Sequence, residues 1–170
     1  MPALWHVSED GAIERFDPRA DPAHDSPEPL VWAIDDEHVP AYWFPRDCPR
    51  GTWWATESTS DTDVELHLGG DRSLRVHAIQ ADWLDVFRAG RVFAYRLPPE
   101  SFGRYERAAG YWVSREPVEP LEVEVLDDLL ARHVAAGIEF RVVPRLRPLW
   151  SRVTASTLEF SGIRLRNLDR

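Results

Sequence analysis

Polar and apolar positions alternate most clearly over residues 63–79. With Gly69-Gly70-Asp71 as a three-residue loop, Leu66 faces Leu74 and Val64 faces Val76, while Glu65 meets Arg75 and Asp63 meets His77. Apolar then meets apolar and acid meets base, so this register predicts a β-hairpin with His67 and His77 on its outer, solvated face. Leu4-Trp5-His6-Val7-Ser8 reads as a first strand. Side chains two apart on a strand point the same way, so His6 and Ser8 share a face. Residues 30–34 read as a buried strand. Asp35-Asp36-Glu37 has the acids of a helix start, and that helix runs to about Phe44 with Val39, Tyr42 and Trp43 on one side and Pro45 ending it.

Further along, residues 52–56 are aromatic and β-prone. Asp82 caps a short helix whose Trp83, Val86 and Phe87 form an apolar stripe, closed by Gly90. Residues 92–97 form a strand broken by Pro98-Pro99. Residues 111–114 and 118–125 are strand-like, with Pro117 and Pro120 marking edges or bends. Leu126, Leu129, Leu130, His133 and Val134 share one face of a helix closed by Gly137. A strand over 138–143, a last helix opened by Pro148 with Leu149, Trp150 and Val153 inward, and a strand over 160–165 complete the pattern. Residues 17–29 hold four prolines in thirteen positions, which forbids a regular ladder or helix; the segment is a connecting loop or a lid. About eight short strands with three or four short helices predict an α+β fold of mostly antiparallel strands, one domain over residues 1–170.

Composition sharpens this picture. The chain has 170 residues and a net charge of −9, from 29 acids against 20 bases. That balance makes nucleic acid or an anionic membrane an unlikely partner. All the basic residues are arginine, so Schiff-base and P-loop lysine chemistry is excluded. A single cysteine, Cys48, forms no internal disulfide, and no apolar run reaches transmembrane length. A reducing, cytoplasmic setting is expected. The histidines at 6, 24, 38, 67, 77 and 133 lack metal-ligand spacing, so no metal is expected.

Three groups of residues carry candidate chemistry. His6 and Ser8 suit a polar ligand such as a sugar, and equally a satisfied core histidine beside a strand-ending serine. In Phe44-Pro45-Arg46-Asp47-Cys48-Pro49-Arg50, the two arginines would favour a Cys48 thiolate or bind an anion such as a pyrophosphate. The prolines equally suit a rigid turn in which Asp47 ties an arginine. Ser58-Thr59-Ser60 and Glu122-Val123-Glu124 match elements of arginine-modifying ADP-ribosyltransferase toxins. Here, however, the triplet leads into Asp61-Thr62-Asp63 and His6 stands where those toxins need arginine, so both read as chance.

The strings Leu4-Trp5-His6-Val7-Ser8-Glu9, Val31-Trp32-Ala33-Ile34, Phe44-Pro45-Arg46-Asp47-Cys48-Pro49 and Phe160-Ser161-Gly162-Ile163-Arg164 resemble a family of uncharacterised bacterial proteins over nearly the whole chain. More distantly, the order of His-x-Ser strand, proline-bearing loop, buried strand and aromatic-bearing helix resembles the histidine, tyrosine, glutamate branch of the ADP-ribosyltransferase-like superfamily. That resemblance implies that His6 and Ser8 hold an NAD ribose and that Tyr42 stacks on nicotinamide, with Trp32, Trp43 and Trp54 as competitors. It further implies that a late acid, Glu116 or else Glu119 or Glu122, steadies an oxocarbenium-like centre. Arg46 and Arg50 would meet the pyrophosphate. The implied function is binding of NAD or a related nucleotide, with transfer or hydrolysis at the ribose glycosidic carbon. The other readings are a non-catalytic ligand-binding or protein-interaction module, and a hydrolase built on Cys48.

Overall fold

The structure, a computed structural model, describes residues 1–20, 28–106 and 109–169. Most of the proline-rich stretch, with His24, lies outside them. Among the described residues the strands are Leu4–Ser8 (β1), Val31–Asp35 (β2), Arg50–Trp54 (β3), Arg75–Gln80 (β4), Val92–Leu97 (β5), Gly103–Glu106 (β6), Tyr111–Ser114 (β7), Glu122–Leu126 (β8), Ile138–Val143 (β9) and Glu159–Ile163 (β10). The α-helices are Asp61–Leu68 (α1), Leu84–Ala89 (α2), Leu129–Ala135 (α3) and Leu146–Thr154 (α4). The fold is α+β with mostly antiparallel strands. The chain divides into two units, Met1–Trp43 with Arg91–Asp127 and Phe44–Gly90 with Asp128–Arg170.

The first unit is an antiparallel sheet in the order β6-β7-β2-β1-β5-β8. Its strands are rich in β-branched and aromatic residues, which suit a pleated, half-buried surface. One face carries Leu4, Val31, Ala33, Tyr95, Leu97 and Trp112, packed with Phe16, Phe102 and Val118 from the connecting segments. Phe16 and Val118 exchange backbone hydrogen bonds of 2.8 and 2.9 Å. The Tyr95 hydroxyl donates to the Asp10 carbonyl at 2.7 Å and accepts from the Ile13 amide at 3.1 Å, holding the segment after β1 over the sheet. A buried tyrosine with its polar tip satisfied in this way contributes both area and orientation.

The second unit is a four-stranded sheet, β10-β3-β4-β9, in which β4 and β9 run parallel. Trp53, Val76 and Ala78 on one face pack against Val64 and Leu68 of α1, Leu146 and Val153 of α4, and Leu158 and Leu168. The Trp150 ring lies so close over Gly51 and Gly162 that a Cβ at either would run into it. The opposite face carries His77 and Phe140, which join Phe44, Phe87 and His133 in a cluster of rings.

The predicted hairpin does not form. Residues 61–68 are helical because Ser60 is an N-cap: its Oγ accepts from the Asp63 amide at 3.2 Å and donates to the Asp63 carboxylate at 2.9 Å. Asp61 and Asp63 in the first turn complement the helix dipole, and Gly69 closes the helix at φ 62°. Val64 and Leu68 fit a strand at spacing two and a helix at spacing four alike. The cap decides for the helix, leaving Leu66 71% exposed. Strand β4 pairs instead with β3 and β9. His67 and His77 are therefore both buried, not solvated.

The predicted helix over 35–44 is also absent. Strand β2 runs through Asp35, and only a 3-10 turn, Val39–Tyr42, follows. Strand β8 begins at Glu122 and takes Leu126 with it; α3 starts after Asp128, whose side chain accepts from the Ala131 amide at 3.2 Å. Helix α4 opens at Leu146, so Pro148 falls in its first turn. Strand β6 had no sequence signal. Strands β1, β5, β7 and β9 lie where the pattern put them.

Removing the cap hydroxyl should weaken α1. Ser60→Ala is expected to lower stability by about 1 kcal/mol in urea unfolding, with Ser60→Asp retaining most of it.

Candidate functional site

At the end of β2 the chain turns tightly. The Asp35 carboxylate accepts from the His38 amide at 3.1 Å and from its Nδ1 at 2.6 Å. Both side chains are nearly closed off, at 6% and 11% exposure. A carboxylate on Nδ1 fixes the tautomer and orients the ring, the arrangement used for general acid–base work. Gly110, at φ +69°, lies against this pair; a Cβ there would run into the His38 ring and the Asp35 carboxylate. Its carbonyl accepts from the Asp35 amide at 3.0 Å.

The next residue, Tyr111, opens β7. Its hydroxyl and that of Tyr42 lie 2.6 Å apart, one donating to the other. The β2–β7 register puts Tyr111 on the same face as Trp32, and the two rings meet edge to face at 5.9 Å. Tyr105 of β6 meets Trp32 in the same manner at 4.9 Å and is half exposed. The aromatic row thus carries two phenol hydroxyls, and the carboxylate-held imidazole lies at the turn that ends β2, against Gly110. Flat rings offer stacking surface and hydroxyls offer orientation, which is the usual composition of a small-molecule site.

His6 lies on the other face of this sheet. Its cross-strand neighbour is Tyr95, and its ring packs at 4.7 Å on Phe16. β1 and β2 pair only at Leu4–Asp35 and Trp5–Ile34. Beyond that the His6 Nδ1 donates to the Trp32 carbonyl at 3.0 Å, so this nitrogen carries the proton. His6 thus steadies the strand that presents Trp32. The Ser8 hydroxyl accepts from the Asp10 amide at 3.1 Å in a local turn. Glu116 is exposed after β7, with its amide on the Ser114 hydroxyl at 3.1 Å. Glu119 helps to line a cleft of about 290 Å3 with Arg15, Pro98, Ser101, Pro117 and Val118, and Glu122 pairs with Arg96 at 3.2 Å. The sheet separates His6 from the Tyr42–Tyr111 hydroxyl pair, so the structure does not bring these two together.

The remaining candidates belong to the second unit. Arg46 is exposed. Arg50 is 3% exposed, donates to the Cys48 carbonyl at 3.0 Å and lies over the Phe44 ring. Trp54 stacks with Arg75. Cys48 has no exposed surface. Burial pushes its thiol up to about 12, against the lowering effect of Arg50 and with a further rise from Asp82. A buried thiol of this kind is a small apolar side chain, not a nucleophile. Among the described residues, no cluster of three or more His, Cys, Asp or Glu could hold a metal ion, and no helix is long and apolar enough to cross a membrane.

A family model matches residues 5–168. The chain belongs to DUF6886, a family of unknown function. No curated protein and no solved structure matches it. The match to DUF6886 spans the strings around His6, Trp32 and Cys48 and brings no assigned activity to them. Sequence pattern alone does not single out the Asp35–His38 pair, because Asp35-Asp36-Glu37 also reads as a helix start, nor Tyr105 and Tyr111, whose partner Trp32 comes from a distant strand. The one local signal was an acid three residues before a histidine at the end of a strand.

Cys48 in the folded chain should resist iodoacetamide at pH 8 and react fully in urea. Rapid labelling of the native protein would contradict the closed environment.

Proposed function

We propose that this chain is a ligand-binding module for a small nucleotide-type molecule, taken up on the aromatic face of its six-stranded sheet. The observation that carries the reading is the row of Trp32, Tyr105 and Tyr111 with the hydroxyl of Tyr42 at 2.6 Å from that of Tyr111. Stacking of a flat base on such rings contributes about 1–3 kcal/mol per base. The hydroxyl pair brings two phenol oxygens to the edge of the row, where a ribose would lie. The superfamily resemblance independently points to Tyr42 as a ring-facing residue and to NAD as the form of nucleotide. Titration calorimetry with NAD should give saturable heat. Tyr111→Phe should weaken binding severalfold, and Trp32→Ala by tenfold or more, equal to about 1.4 kcal/mol. Absence of heat from the wild type overturns the reading.

A second reading, transfer or hydrolysis at the ribose glycosidic carbon, has one specific observation in its favour. The Asp35–His38 pair supplies a carboxylate and an oriented imidazole against Gly110, the residue that precedes Tyr111. A cationic ribosyl transition state gains from fixed negative charge in a dry setting. Nicotinamide release from NAD that is abolished by Asp35→Asn and retained in Glu116→Gln would support it. Calorimetric binding without turnover leaves the module reading alone.

A further inference from the structure

The opposite end of the chemistry lies in the second unit. His77 is on β4, an inner strand, with no exposed surface, and neither ring nitrogen has a hydrogen-bond partner. It is one of five rings in contact. His133 of α3 lies at 5.0 Å and nearly perpendicular to it, Phe44 lies at 5.9 Å, and Phe140 of β9 and Phe87 of α2 complete the cluster. A neutral imidazole fits this setting. Its N–H can point at an aromatic face, and it adds apolar ring area. A protonated one would need two acceptors and a counter-charge.

None is at hand. From β3 the neighbours are Thr52, whose hydroxyl donates to the Ser161 carbonyl, and the buried Arg50 guanidinium. From β4 itself there is Arg75, and from α3 there is His133, whose Nδ1 donates to the Leu129 carbonyl at 2.7 Å. β9 presents Phe140, while Glu139 and Arg141 alternate to the other face. α2 presents Phe87, with Asp85 and Arg88 exposed. The charged groups acting on His77 are therefore of its own sign. Burial first, and then His133, Arg75 and Arg50, keep it neutral well below the ordinary histidine range.

We propose that His77 makes the core of the second unit acid-labile, a built-in device that loosens this unit as pH falls below neutrality. The sign follows from linkage. Unfolded His77 takes up a proton near pH 6.5 and folded His77 does not, so its contribution to stability is constant above that pH. Below it, the unfolding equilibrium constant rises about tenfold per pH unit for this one histidine. The window from pH 6.5 to 5 lies above the titration of Asp63 and Asp71, whose carboxyls are held below their usual range by hydrogen bonds from Thr157 and from Ser73. His67 on α1, also lowered by burial, contributes in the same window.

Urea unfolding of the full chain between pH 5 and 8, for wild type and His77→Phe, isolates the His77 part. Between pH 8 and 5 the wild-type equilibrium constant should rise about thirtyfold more than that of His77→Phe, which keeps the ring cluster but cannot take a proton. Parallel profiles would overturn the proposal. Should His77→Phe fail to fold, NMR titration of the wild-type imidazoles decides instead. A His77 signal that stays neutral to pH 5 in the folded protein supports it, and one that titrates near pH 6.5 with the fold intact overturns it.

Discussion

The first unit depends on the placement of β1 between β2 and β5. This strand pairs along its whole length with β5 and only over two residues with β2. Because the β1–β2 ladder opens after Trp5, the His6 imidazole serves the Trp32 carbonyl in place of a backbone amide. The alternation of side chains then does the sorting. Leu4 and His6 go to the face closed by Phe16 and Tyr95, and Trp32 and Tyr111 go to the other. A shift of one residue in β1 would exchange these faces and leave both the core and the aromatic row without partners.

The turn at the end of β2 shows how one carboxylate can replace a helix. An aspartate followed by two acidic residues and a proline-bearing segment has the credentials of a helix start. The same oxygen that would cap a helix instead binds the His38 amide and imidazole together. Gly110 permits this, since only a residue without Cβ tolerates both its positive φ and its closeness to the pair. The outcome is a short 3-10 turn that sets Tyr42 against Tyr111.

The second unit contrasts with the first in how it handles polarity. On one face its sheet is sealed by helices, with Trp150 lying flat on two glycines. On the other it buries two histidines and an arginine among phenylalanines. Desolvating the His77 imidazole, whose ring nitrogens have no hydrogen-bond partner, costs free energy. Dispersion contacts and ring packing across the five-ring cluster offset that cost only while His77 is neutral. The same desolvation raises the Cys48 thiol and takes it out of chemistry.

Several features were legible in the sequence because they rest on local physics. Alternating apolar residues bounded by glycine or proline marked β1, β5, β7 and β9, and Gly90 and Gly137 marked helix ends. The mixture of short strands and helices marked the α+β class, and the lack of any second cysteine excluded an internal disulfide. Tertiary structure decided whatever two local rules left balanced. Val64 and Leu68 satisfy a strand and a helix alike, and the Ser60–Asp63 cap with Thr157 as a further partner of Asp63 settles the choice. Residue type and order along the chain carry the resemblance that points to His6, Tyr42 and Glu116. The face on which His6 lies follows from strand pairing, and the position of Tyr42 from its contact with Tyr111, in both cases between residues dozens of positions apart, which no local pattern encodes. Whether a histidine such as His77 meets water or phenylalanine is likewise set by what packs over it, and those neighbours come from four separate stretches of the chain.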